Sequence, residues 1–205
     1  MNNIVRRLIG YFENNFFTKQ MDILKHNILI KKENNMWNQR LLEAEENAVI
    51  WKTGNTEYIN QLLRTGAELT PEFFEPYQLE YLRFLDSAIE KSYIRKNTTL
   101  YRNVSRQKLI DGNGPFFPGS IIVDKGYMEA SLVRLDLMLN FDADTLLILK
   151  VKKRVHVLYV PECNPGRADE YGVLFPRNTR IFITGIRRVF FSKYRWIIKG
   201  KIYAS

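Results

Sequence analysis

The chain has 205 residues, with 31 Lys and Arg against 22 Asp and Glu, a formal charge of +9, and 45% hydrophobic residues. At roughly 100–200 residues per domain this is one domain, or one with an appendage, and the composition excludes a disordered chain. A single cysteine, Cys163, excludes an intramolecular disulfide framework and a cysteine-built zinc site; two histidines, His26 and His156, leave little for a His-rich metal centre.

The positive balance favours acidic partners without choosing among nucleic acid, anionic membrane, acidic protein and phosphorylated ligand. Residues 1–40 read as one or two helices. No targeting segment is visible there, because Arg6, Arg7, Glu13, Asn14 and Asn15 break the apolar stretches of the first seventeen residues. Leu41, Leu42, Val49 and Ile50, then Ile59, Leu62 and Leu63, fit two amphipathic helices separated by a turn at Thr53-Gly54-Asn55. Leu79, Leu82, Leu85 and Ile89 fall on one face of a further helix that ends near Arg95 and Lys96.

After residue 97 the pattern changes to strands and turns. Candidate strands are 98–104, 119–123, 126–131, 145–151, 155–160, 172–176, 179–185, 186–192 and 195–203, with a short helix possible over 133–141. Asp111-Gly112-Asn113-Gly114-Pro115 and Asn164-Pro165-Gly166 read as turns. Helices first and strands after predict an α+β protein with helices packed on mostly antiparallel sheets. Apolar runs such as 145–149 are strand-sized and far short of a membrane span, so the expectation is a soluble protein of a reducing compartment.

The common phosphate-loop, dinucleotide and nucleophile-elbow motifs are absent. Toward the end, Arg187, Arg188, Lys193, Arg195, Lys199 and Lys201 interleave with Phe190, Phe191, Tyr194, Trp196 and Tyr203. Such a patch can track a nucleic-acid backbone and stack bases; a closing strand pair with aromatics inward and cations solvated gives the same pattern, and is the commoner case. Cys163, in a turn-like stretch with no histidine nearby, reads as a loop residue.

Three ordered segments point to chemistry: Leu100-Tyr101-Arg102-Asn103-Val104, Gly119 to Leu132 (GSIIVDKGYMEASL) and Arg167 to Thr184 (RADEYGVLFPRNTRIFIT). Together they resemble the Arg–Ser–Glu class of mono-ADP-ribosyltransferases, which contains actin-modifying toxins and arginine-specific enzymes. The stretches TGNTEYINQLLRTG and LDSAIEKS extend the resemblance, which covers about residues 42–205. It implies an α+β fold with N-terminal helices packed on a two-sheet, mostly antiparallel core around an NAD cleft. In that frame residues 1–40 are a helical extension and 41–205 the transferase-like domain.

The resemblance assigns NAD, as substrate, to Arg102, with Asn103, Ser131, Arg134 and Phe141 around it. A guanidinium at Arg102 suits a pyrophosphate because it forms forked, charge-assisted hydrogen bonds. Glu170 takes the family's first acidic position, where Glu rather than Gln goes with arginine as acceptor on a protein substrate. Two positions depart from the pattern: the seat of the catalytic glutamate is Gly172, and the first serine of the middle motif is Glu129. Glu129 and Ser131 point to one strand face, as do Glu170 and Gly172, so Glu129 is a candidate for a relocated catalytic carboxylate. The implied activity is protein mono-ADP-ribosylation by a toxin-like effector, acting in a cytoplasm, its own or a host's. The competing reading is an inactive transferase fold serving as a binding module for protein or, less favoured, nucleic acid.

Overall fold

The computed structural model describes residues 37–38, 40–54, 56–132, 134, 143–160, 172–190 and 194–204. The expected helices of residues 1–36, the turn at 164–166 and Cys163 lie outside these. So does the expected helix at 133–141, apart from Arg134.

Trp37–Asn38 (β1), at the end of the stretch read as helical, instead forms a two-residue ribbon with Tyr93–Ile94 (β2). Three helices follow as the apolar spacing predicts: Glu43–Gly54 (α1), Thr56–Thr65 (α2) and Pro76–Lys91 (α3). α3 begins with a reciprocal capping box between Glu75 and Gln78 and has proline in its first turn, which satisfies orphan N–H groups. Its face of Leu79, Leu82, Leu85, Ala88 and Ile89 is buried against Ala48 and Val49 of α1 and Ile59 and Leu63 of α2. Each such side chain removed from water contributes about 1.5–3 kcal/mol.

Four elements lead to the middle motif and beyond it: Thr98–Val104 (β3), Arg106–Asn113 (α4), Ile121–Asp124 (β4) and Glu129–Ser131 (β5). The remaining strands are Thr145–Val151 (β6), Leu158–Tyr159 (β7), Gly172–Leu174 (β8), Thr179–Arg188 (β9) and Trp196–Ile202 (β10). The described strands make one eight-stranded sheet in the order β4-β9-β10-β6-β3-β5-β8-β7, plus the β1-β2 ribbon. Only the β6–β10 pair is parallel; the other pairs of the sheet are antiparallel. Where a two-sheet core is expected, the hydrogen bonding runs through continuously, because β3 pairs with β6 along its length and with β5 at Tyr101↔Ser131. That join is a single residue pair.

Two local readings change. Asp111-Gly112-Asn113 closes α4 rather than forming a turn, with Gly114 at positive φ as its cap and the Asn113 side chain accepting from the Val123 N–H of β4. The expected break between strands 179–185 and 186–192 does not occur. β9 is continuous across Gly185, where a register shift against Lys199 and Gly200 absorbs the irregularity.

Candidate active site

Arg102 stands in the middle of β3 with its side chain largely buried, and its Nη1 donates to Asp124 Oδ2 at 2.7 Å. Asp124 ends β4 and receives a second guanidinium: Arg64 of α2 donates through Nε to Oδ1 at 2.9 Å and through Nη2 to Oδ2 at 3.1 Å. The Gly126 N–H closes on Oδ1 at 3.1 Å. Burial opposes ionisation of Asp124, but the Arg102 and Arg64 guanidiniums outweigh it and hold the carboxyl below its ordinary range. One buried carboxylate thus fixes two guanidiniums in a cleft of about 750 Å³, which Lys108, Lys125, Glu57 and Asp111 also line. A guanidinium carries five N–H donors, so these bonds leave donors on both arginines for an anionic ligand such as a diphosphate.

The three motif segments meet in one row. Tyr101 is in register with Ser131, and Ser131 with Gly172, so the strands of Arg102, Ser131 and Gly172 are neighbours. Ser131 is buried. Gly172 has no left-handed backbone; a Cβ there meets only Val160, at 3.7 Å. Glu129 is in register with Leu174, not Gly172, which makes 172 its diagonal neighbour, about 7–8 Å away. Its carboxylate Oε1 accepts from Lys52 Nζ of α1 at 2.6 Å; the lysine side chain is 0% exposed and the glutamate 40%.

Asn103 lines the cleft, and its Oδ1 accepts from the buried Tyr194 hydroxyl at 2.8 Å. Arg134 is exposed and lies over the same ring, 5.9 Å from its centroid. Tyr194 therefore brings these two expected residues together. Phe141 and Glu170 lie outside the described residues. The sequence motifs assign no role to Lys52, Arg64 or Asp124, although Arg64 lies within TGNTEYINQLLRTG and Asp124 within GSIIVDKGYMEASL. For Lys52 the signal is helical spacing: Glu45, Ala48, Val49 and Lys52 are the buried residues of α1.

The family model described as ADP-ribosyltransferase exoenzyme matches residues 29–203. The chain belongs to that family.

The C3stau2 exoenzyme from S. aureus, solved with NAD, is 20% identical over 87% of this chain and 92% of its own, with a TM-score of 0.65. The Clostridium limosum C3 exoenzyme is 18% identical over 80% and 87%, with a TM-score of 0.66. Exoenzyme S from Pseudomonas aeruginosa, solved with carba-NAD and human 14-3-3 protein beta, is 16% identical over 79% and 74%, with a TM-score of 0.64. No curated protein matches. As a member of the ADP-ribosyltransferase exoenzyme family, the chain has a toxin-like transferase fold. No helix among the described residues is long and apolar enough to cross a membrane.

Proposed function

We propose that the chain is a mono-ADP-ribosyltransferase that moves ADP-ribose from NAD to an arginine of a protein. The observation that carries this is the Arg102–Asp124–Arg64 arrangement: two guanidiniums, held by one buried carboxylate, facing a cleft of nucleotide size. In this reading Arg102 and Arg64 grip the diphosphate, Ser131 braces the strand row beside them, and Asn103, Arg134 and Phe141 serve the rest of the nucleotide. The bond between ribose C1 and the nicotinamide nitrogen breaks, and nicotinamide leaves with the electron pair. An acceptor guanidine nitrogen bonds to C1 and gives up its proton to water. Glu170 orients that guanidine, and the carboxylate facing the positive charge that builds on the ribose is Glu129 or Glu170. The family supports a protein acceptor and delivery into a host cytoplasm.

A second reading, an inactive module that retains nucleotide binding, draws support from the Lys52–Glu129 pair. A buried ammonium 2.6 Å from the carboxylate neutralises the charge that bond-breaking needs, and losing one preorganised group of this kind typically costs about 10²–10³ in rate. Incubation with labelled NAD and mixed protein extract separates the two. Nicotinamide release with label on arginine supports transfer; NAD binding with neither hydrolysis nor labelling supports the module. Label confined to asparagine, cysteine or nucleic acid overturns the arginine assignment.

A further inference from the structure

The sheet face turned away from the core carries charge and aromatic surface that the NAD cleft does not use. Along β10, Lys199 and Lys201 alternate with buried Ile198, Gly200 and Ile202, and exposed Tyr203 continues the row. Along β9, exposed Arg180 and Phe182 alternate with buried Ile181 and Ile183. Lys201 is in register with Phe182, and Phe182 with Ile121 of β4, so these side chains share one face with Cβ atoms about 4.5–5.5 Å apart. Arg180 and Tyr203 stand two residues further along on the same face. Each ring thereby lies beside a cation.

Phe182, Tyr203 and Ile121 are 36%, 53% and 50% exposed. A cleft of about 550 Å³ opens over them, lined also by Arg177 and His156 and by no Asp or Glu among the described residues. His156 has a buried Nδ1 with no hydrogen-bond partner among the described residues. A hollow of about 220 Å³ continues the track past Lys199 to Ile197 and Arg187. β3, β6, β9 and β10 contain no carboxylate at all. Arg180, Arg187, Lys199 and Lys201 enter no ion pair among the described residues. From Ile197 to Tyr203 the track runs about 20 Å at the ordinary strand rise.

We propose that this face binds single-stranded nucleic acid, with Phe182 and Tyr203 stacking bases and Arg180, Lys199, Lys201 and Arg187 following the phosphates. An open sheet face with exposed rings is suited to unstacked bases, and stacking is tolerant of sequence. A duplex hides its base faces and offers the rings nothing, while an acidic peptide uses the cations alone. The surface is separate from the Arg102 cleft, so it stands or falls independently of transfer chemistry.

The test is fluorescence anisotropy of a labelled single-stranded 12-mer titrated with the full chain at low and high salt. A matched duplex, heparin and poly-glutamate serve as competitors. Saturable binding that weakens with salt is expected. Phe182→Ala and Tyr203→Ala should each lower affinity about tenfold, and Phe182→Tyr should retain it. Lys199→Glu with Lys201→Glu should lower affinity further and flatten the salt dependence. NAD binding should be unchanged in every variant, which verifies the fold. Absence of binding at low salt overturns the proposal. So do equal affinity for duplex and heparin with no dependence on the two rings, and displacement by poly-glutamate at lower concentration than by the oligonucleotide.

Discussion

Glu129 is the residue whose meaning the structure alters most. From sequence it is a carboxylate near a vacated catalytic seat; in the fold it is the counter-charge of a lysine with no solvent contact. The two partners are unequal, since Glu129 is part-exposed and Lys52 is not. Glu129→Gln takes away the carboxylate 2.6 Å from a fully buried ammonium and should cost more stability than Lys52→Met, which leaves a carboxylate that water reaches. Urea unfolding of both variants checks that order, and equal losses would contradict it. Glu129→Gln alone is therefore a poor probe of catalysis. Lys52→Met with Glu129→Gln, which removes the pair together, is the sounder variant for measuring turnover.

Asp124 makes a residue-scale prediction about pH. Its folded pKa lies below the ordinary value of 3.8. The stability it contributes is therefore complete above that value and is lost as pH falls through the depressed one. Asp124→Asn should be less stable than the parent at neutral pH and should lose less on acidification below 3.8. Denaturant titrations at neutral and acid pH read this as a narrowing gap between the two proteins. A gap that stays constant would show that the two arginines do not depend on the Asp124 charge.

At the scale of elements, α2 governs the turn between β4 and β5, and with it the placement of Asp124 and Glu129. The Asn60 side chain accepts from the Tyr127 N–H at 2.8 Å and donates to the Tyr127 carbonyl at 3.0 Å. Gly126 leaves the space for it: a Cβ there would come within 2.6 Å of Asn60 Oδ1. Asn60→Ala orphans two buried backbone groups at about 1–3 kcal/mol each, and Gly126→Ala should reproduce part of that loss by displacing the amide. Thermal unfolding should rank Asn60→Ala below Gly126→Ala, and both below the parent. Tyr127 itself is locked by Asp86 of α3, which accepts from its hydroxyl at 2.7 Å and from Arg177 Nη2 at 2.7 Å. The loops before β5 and β9 are thus anchored to one helical carboxylate.

These elements also show how much was legible in advance. β3 and β6 match their expected ranges because β6 is a largely apolar seven-residue run and β3 carries the strand formers Thr98, Thr99, Tyr101 and Val104. α3 was legible from its 3.6-residue spacing. α4 was missed because Asp-Gly-Asn is strong turn chemistry locally, and its packing onto β4 is a tertiary effect. Arg102, Ser131 and Gly172 could be named from motifs, but the row Tyr101–Ser131–Gly172 that joins their strands depends on register, and pairings so distant in sequence leave no local trace. For the same reason the Asp124 bridge and the Lys52 pair were not foreseen. Each joins a helix near the start of the domain to a strand at least sixty residues later.

At the scale of the molecule, the charge of +9 is not spread evenly. The Arg102 cleft mixes cations with Glu57, Asp111 and Asp124, whereas the outer face of β9 and β10 has no carboxylate among the described residues to offset its own cations. The central claim concerns the first of these: that the cleft holds NAD through Arg102, with Arg64 and Asp124 fixing its geometry. Calorimetric titration of NAD into the parent and into Arg102→Ala tests it most directly. Saturable binding by the parent, weakened by about 2–5 kcal/mol in the variant, is the predicted result. A folded parent that takes up no NAD, or a folded Arg102→Ala variant with unchanged affinity, would contradict it.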